Sequence, residues 1–348
     1  KINKFEKKII TDIDLLYLYN NKFKSIVVTG TNGKSTTCKL LAHLLQKNKL
    51  KCSLGGNIGT PILNLKNLKN SFVIIEASSY QLSHSKFICP DYAIFLNFSN
   101  DHLDWHGSKN KYLNSKLKIF HLQKKRNFAI INKNLKKKFV SKKFSGKLLF
   151  PKIKDYRKIK KEIKNNYLTS SINEENMSFV YTLSKLLKIK EKSFFKAMKS
   201  FKGLSHRFEI FLKKENIKFI NDSKATSFKA SESALRSLKN VYWILGGLPK
   251  KNDKLKLSKI KKNISKCYLI GKNINFFKSQ IKGRVDFSIT KNLRNSIIKI
   301  SKDIKLKKHN NKYILLSPGA ASFDQFENFE KRGEEFKRLC KKYVRKFI

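Results

Sequence analysis

The sequence predicts two α/β domains in tandem, each built on a mostly parallel sheet covered by helices on both faces. Three observations carry this expectation. The chain has 348 residues, more than one hydrophobic core ordinarily organises. Short apolar runs alternate with segments of helical periodicity, the pattern left by strand–helix–strand units. The same pattern starts again after about residue 203, where helix spacing ends at Gly203.

The elements follow in order. Residues 25–29 (SIVVT) form a buried strand that runs into a glycine turn, and then into a helix with Leu40, Leu41, Leu44 and Leu45 on its apolar face. Residues 72–76 (FVIIE), 93–96 (AIFL) and 127–131 (NFAII) are further strands. Val180, Leu183, Leu186 and Leu187 recur at helix spacing within 177–189. Beyond the hinge, expected within 201–205, residues 217–220, 241–245, 267–270 and 313–316 read as strands, with a closing helix near 329–343.

Composition excludes several classes. With 40% hydrophobic and 12% aromatic residues the chain can build cores, so wholesale disorder is excluded. No run approaches the ~18 apolar residues of a membrane span, and no signal-peptide pattern opens the chain, which points to the cytoplasm. Five cysteines, widely spaced and without a C-x-x-C pair, fit reduced thiols better than disulfides or zinc. The net charge of +54 would ordinarily suggest nucleic acid. Lysines occur in every segment, however, and the dense run from Lys133 to Lys143 lacks the interleaved aromatics of a strand-binding groove. We read the charge as a solvated lysine-rich surface that favours anionic substrates, with no specific nucleic acid partner.

The most specific local signal is Thr29-Gly30-Thr31-Asn32-Gly33-Lys34-Ser35-Thr36. A strand enters it and a helix leaves it. Two glycines let backbone N–H groups turn inward, and the helix N-terminus adds positive potential for phosphate. Lys34 can reach terminal phosphates, and the hydroxyl of Ser35 or Thr36 can hold Mg²⁺. The spacing departs from the general phosphate loop, because Val28 stands five residues before Gly33 where a glycine is usual. Glu76 ends the strand 72–76, where ligand crevices of parallel sheets open, and either supports the metal or caps the following turn.

This variant loop resembles that of the Mur ligases and their folylpolyglutamate synthase relatives. The resemblance continues in order through Gly55–Gly59, Glu76–Leu82 (EASSYQL), Asn97–Asp104 (NFSNDHLD), Gly203–Glu209 (GLSHRFE), Asn221–Thr226 (NDSKAT), Leu316–Phe326 (LSPGAASFDQF) and Phe329-Glu330-x-Arg332-Gly333. The branch it most resembles adds D-glutamate, and the Asp-Asn-Pro-Arg motif of the diaminopimelate-adding branch is absent. Locally, Ser205 replaces a usual proline, Ser227 a common asparagine, and Gly319-Ala320 a frequent Ala-Cys. The family's N-terminal UDP-binding domain has no counterpart here, and the chain begins with Lys1, so a fragment or separately supplied upstream part is expected.

The resemblance implies a central P-loop-type ATPase domain over 1–203 and a Rossmann-like, amino-acid-binding domain over 204–348. It implies a cytoplasmic, monomeric ligase. A substrate carboxylate attacks the γ-phosphoryl of ATP, and the acyl phosphate is then attacked by the amine of D-glutamate. In such phosphoryl transfer the protein mainly positions groups and neutralises charge. Lys34, Glu76, His102 and Lys116 are the catalytic candidates. Gly30–Thr36, Asn173, Asn176, Arg207 and Asp222 are expected on ATP, and Ser35, Glu76, His102 and Lys116 on Mg²⁺. Asn57 and Ser79 are expected to face the UDP-sugar peptide precursor. Lys224, Thr226, Lys250, Ser322 and Phe329 are expected to hold D-glutamate. ATP would bridge the two domains, whose closure would exclude water.

Lys116 matches a lysine that the family carbamylates, which requires a neutral amine; otherwise it is one lysine among dozens. His106, four residues after His102, is expected to be a surface or loop histidine. Other readings are a different Mur-type or folylpolyglutamate-type ligase, an inactive ATP-binding remnant, or a basic nucleotide-dependent nucleic-acid module.

Overall fold

A computed structural model describes residues 9–19, 22–99, 101–165, 167–169, 173–250, 253–306 and 311–347. Asn100, within the segment 97–104, and Lys1 lie outside the described residues. The chain divides into two compact units, Lys1–Lys202 and Gly203–Ile348.

The first unit carries strands β1 (Lys24–Thr29), β2 (Cys52–Gly56), β3 (Phe72–Glu76), β4 (Tyr92–Phe95), β5 (Phe128–Ile131) and β6 (Lys147–Leu149). Their order is β2-β3-β1-β4-β5-β6 and every pairing is parallel. Central β1 buries five of its six residues, as a strand covered on both faces must. Val27, Val73, Ile75, Ala93, Phe95, Ala129 and Ile131 share one core with Leu113, Leu117 and Phe120 of the segment 109–120. The direction of strand succession reverses between β1 and β4, and at such a switch point the carboxyl ends of neighbouring strands leave a crevice. The loops after β1, β3 and β4 carry the phosphate loop, Ser79 and His102, whereas Asn57 follows β2, and Asn173 and Asn176 lie at the start of the helix Glu174–Leu186.

The second unit has β7 (Glu209–Lys214), β8 (Ile217–Asn221), β9 (Val241–Gly246), β10 (Ile264–Ile270), β11 (Phe287–Lys291) and β12 (Lys312–Leu316), in the order β11-β10-β9-β12-β8-β7. Among the described residues only β7 runs antiparallel, joined to β8 by a tight turn in which Glu215 has φ 47°. Alternate residues of the central strands face opposite cores. Trp243, Leu245, Cys267, Leu269 and Leu315 pack with Phe228, Leu235 and Phe277. Tyr242, Ile244, Tyr268, Ile270, Ile314 and Leu316 pack with Ile297, Ile300, Phe336 and Leu339. Both faces are covered.

Observed bounds differ from the sequence reading by small shifts. The strand read at 93–96 is Tyr92–Phe95, and the helix read at 177–189 is Glu174–Leu186, begun three residues early by the acidic pair Glu174 and Glu175 at its positive end. The closing helix is Phe329–Tyr343. β2, β6, β7 and β11 went unread, and these four are the edges of the two sheets.

Candidate active site

In the first unit the loop Gly30–Gly33 joins β1 to the helix Lys34–Lys47. Gly33 is the residue before that helix, with φ 83°, and no side chain caps the helix there. A Cβ on Gly33 would stand 2.2 Å from Asn176 Oδ1, so the helix Glu174–Leu186 closes over the loop only because Gly33 has none. Thr31 N–H donates to Asn97 O (2.9 Å) and Asn32 N–H to Asn97 Oδ1 (2.9 Å). Asn97 Nδ2 in turn donates to Glu175 Oε2 (2.9 Å), and Asn132 Nδ2 to Glu175 Oε1 (2.7 Å). The loop is thus tied to the ends of β4 and β5. The first N–H groups of the helix Lys34–Lys47 remain its positive end, the arrangement that attracts phosphate.

Lys34 Nζ donates to Gly30 O (2.9 Å) and Thr31 O (3.0 Å). Lys116 Nζ, from the helix Lys109–Leu117, donates to the same Gly30 carbonyl (2.9 Å) and lies 4.7 Å over the Tyr112 ring. Lys116 is 1% exposed. Burial, and then the nearby Lys34 charge, hold its amine well below the usual lysine range, against the pull of Asp101 and Glu76. Ser35 and Thr36 are buried in the first turn of the helix Lys34–Lys47.

Glu76 is 2% exposed at the carboxyl end of β3. Its Oε1 accepts from Asn57 Nδ2 (3.0 Å), and Asn57 N–H donates to Glu76 O (2.9 Å). A Cβ on Gly56 would be 2.4 Å from Glu76 O, so this close approach of β2 to β3 also requires glycine. Glu76 Oε2 is buried without a hydrogen-bond partner among the described residues. A buried carboxylate oxygen left unpaired is costly, and a cation is the natural group to satisfy it. Among the described residues no group of three or more His, Cys, Asp or Glu side chains that could hold a metal ion forms.

His102 has φ 52°, its Nδ1 is 2.9 Å from Tyr80 Oη, and its Nε2 is 3.6 Å from Asp101. His106 corrects the sequence reading. It is buried, not on the surface, with Nε2 3.0 Å from Ser79 Oγ and its ring among Tyr80, Trp105 and Tyr112. Burial, with Lys116 and His102 nearby, lowers its pKa. The rings of Tyr80, Trp105 and Tyr112 fold over it. Asn173 is also buried, its Nδ2 donating to Tyr167 O (2.8 Å).

In the second unit Asp222 follows β8 and is partly exposed. Its carboxylate accepts from Phe208 N–H (3.1 Å) and Ser317 Oγ (2.7 Å). Burial raises its pKa to about 7, opposed by those hydrogen bonds and by the Arg207 charge. Lys224 Nζ lies 4.6 Å over the Phe329 ring, and Ser223 Oγ donates to Phe329 O (2.8 Å). Thr226 follows in the same turn. Paired bonds between Leu248 and Ala321 (2.9 and 3.0 Å) tie the loop of exposed Lys250 to that of buried Ser322.

The sequence reading gave no site role to Asn97, Glu175, Tyr112, Ser317 or Arg332, although Asn97, Ser317 and Arg332 lie within the matched motifs. Asn97 sat inside a quoted motif directly after a strand, and that position was its one available signal. Arg332 is 1% exposed and donates through Nε to Ser223 Oγ (3.0 Å) and through Nη2 to Ser223 O (2.8 Å) and Ala320 O (3.0 Å). It fastens the loops after β8 and β12 together.

Residues 28–192 match the Mur ligase middle domain. The chain is 35% identical over 359 residues to the UDP-N-acetylmuramoylalanine--D-glutamate ligase of Rickettsia prowazekii, covering 97% of this chain and 80% of that protein. It is 33% identical over 347 residues to the protein of the same name from Pseudothermotoga lettingae, with 96% and 79% covered. Among solved structures, the fold resembles the MurF ligase of Thermotoga maritima in complex with ADP, with a TM-score of 0.67 at 16% identity over 100% of this chain and 85% of that one. With this ordered match along nearly the whole chain, the protein belongs to the Mur ligase family, among the UDP-N-acetylmuramoylalanine--D-glutamate ligases.

Proposed function

We propose that this protein uses ATP to join D-glutamate to UDP-N-acetylmuramoyl-L-alanine, an amide-forming step of peptidoglycan precursor synthesis that passes through an acyl phosphate. The names of its relatives support the substrates. The observation that carries the chemistry is the phosphate loop with Lys34, Lys116 and Glu76 gathered around it.

A carboxylate is a poor electrophile, so activation needs a phosphoryl donor held still and its negative charge neutralised. Gly30–Thr36 with the helix N-terminus would cradle the triphosphate, and Lys34 would leave its loop carbonyls for the phosphates. Asn173, Asn176, Arg207 and Asp222 are assigned to the rest of ATP. Ser35, Glu76, His102 and Lys116 would hold Mg²⁺, the orphaned Glu76 oxygen being the strongest reason for doing so. The ion would supply charge neutralisation at the reacting phosphoryl group. Lys116 serves there as its carbamate, and the depressed basicity of its amine favours that modification. Asn57 and Ser79 are assigned to the acid substrate, and Lys224, Thr226, Lys250, Ser322 and Phe329 to D-glutamate, whose two carboxylates call for cations and hydroxyls. Among the described residues no helix is long and apolar enough to cross a membrane. We infer a cytoplasmic monomer.

Mass-spectrometric product analysis of the full-length protein with UDP-N-acetylmuramoyl-L-alanine, ATP, Mg²⁺ and an amino-acid panel tests this reading. D-Glutamate alone should be incorporated, with one ADP formed per amide. Incorporation of a different amino acid, or none, would overturn it.

A further inference from the structure

Buried His106 is paired with Ser79, the hydroxyl assigned to the acid substrate. Ser79 opens the helix Ser79–His84, directly beyond the end of β3, three residues from Glu76. That helix is already capped by its neighbour, since Ser78 Oγ accepts from Gln81 N–H and Gln81 Oε1 accepts from Ser78 N–H (3.1 Å). The Ser79 hydroxyl is therefore not needed for capping, although it is 2% exposed. Among the described residues its hydrogen bond is to His106 Nε2, at 3.0 Å.

The imidazole packs among three aromatic rings. The His106 backbone N–H donates to His102 O (3.0 Å), one turn back in the helix Leu103–His106, and Gly107 with φ 73° ends that helix. Its ring stacks on Tyr80 (5.8 Å, 29°), meets the Trp105 ring at 80° and tilts against Tyr112 (5.0 Å, 49°). Tyr112 Oη lies 3.3 Å from Thr31 Oγ1, in the phosphate loop. A histidine that only filled space could be replaced by any flat ring. This one is locked in plane by three aromatics, with one nitrogen on a hydroxyl at the substrate edge of the sheet.

We propose that His106 is a positioning residue for the acid substrate, its Nε2–H donating to Ser79 Oγ so that the hydroxyl proton is left to be donated to the substrate's carboxylate. A hydroxyl free to rotate would spend part of its time turned away, and the site would lose that fraction of its binding. The aromatic box joins this hydroxyl to Thr31, so both substrates meet one rigid wall. The inference rests on the reading that this unit takes the UDP-linked acid.

Initial rates of the full-length protein, varying the UDP-linked acid and ATP separately, test it. His106→Phe keeps the ring and removes the donor. It should raise KM for the acid about tenfold, the scale of one hydrogen bond to a charged group, and leave KM for ATP within about twofold. Ser79→Ala should do the same, and the double variant should be no worse than Ser79→Ala alone. His106→Gln, whose amide reaches where Nε2 stood, should recover most of the loss, while the shorter His106→Asn should not. If His106→Phe fails to fold, His106→Asn and Ser79→Ala carry the comparison. Equal damage by Gln and Phe, multiplicative effects in the double variant, or a matching rise in KM for ATP would each overturn the positioning role. Wild-type protein inactive on this acid would overturn the functional reading itself, before any substitution is made.

Discussion

Lys116→Met separates what the buried amine costs from what it does. The side chain is 1% exposed. Methionine is close to it in volume and unbranched, so little repacking is required. Two contacts are lost. The bond to Gly30 O (2.9 Å) contributes about 1 kcal/mol, and the contact with the Tyr112 face (4.7 Å) about 1 kcal/mol. The Gly30 carbonyl is not orphaned, because Lys34 Nζ also donates to it at 2.9 Å. Against these stands the effective cost of burying an ammonium beside a second cation, several kcal/mol. We expect the variant to be more stable than wild type by about 1–3 kcal/mol, measured by urea unfolding at pH 7 without metal and without CO₂.

The pH dependence has a definite sign. The folded amine's pKa lies below that of a free lysine, so its destabilising effect is greatest when it is protonated and fades as pH rises. The stability difference between variant and wild type should shrink as pH rises toward the usual lysine range. Ligase activity should fall by about 100-fold, as expected when a group supporting a metal site is removed. Loss of more than about 1 kcal/mol of stability in Lys116→Met would refute the reasoning, since the local contacts would then outweigh burial.

Three further outcomes follow from the same geometry. Gly33→Ala places a side chain at φ 83° and 2.2 Å from Asn176 Oδ1. It should cost about 1–2 kcal/mol in chemical denaturation, with weakened ATP binding by calorimetry. Adding Asn176→Ala should relieve the clash but not the backbone strain. Asp222 has a folded pKa of about 7, above its usual 3.8, so its contribution to stability is fully present below pH 4 and is lost as pH rises through 7. Asp222→Asn should remove that slope from thermal melts across pH 4–8, and parallel wild-type and variant curves would contradict the assignment. Arg332→Met leaves the buried carbonyls of Ser223 and Ala320 without a donor and should destabilise the protein by about 3 kcal/mol or more in urea titration.

Legibility from sequence followed burial. β1 and β3 hold the continuous apolar runs Ile26–Val28 and Phe72–Ile75 because both faces of a central parallel strand are covered, and such runs are visible in sequence. The unread strands are the four edges. β2 contains two glycines in five residues, β6 has three residues, and β7 and β11 are largely half-exposed, so none carries a clean apolar run. What makes them strands is hydrogen bonding to a neighbour already in place.

The sequence by itself determined the order of elements, the phosphate loop and the family, because these rest on local spacing and ordered motifs. Only tertiary structure decided which groups share an environment. It left Glu76 Oε2 unpaired, brought Lys116 against the carbonyl that Lys34 also uses, and turned His106 inward onto Ser79. Those pairings join residues 27 to 86 positions apart, and burial and hydrogen bonding over such separations depend on how sheet and helices pack rather than on neighbours in the chain.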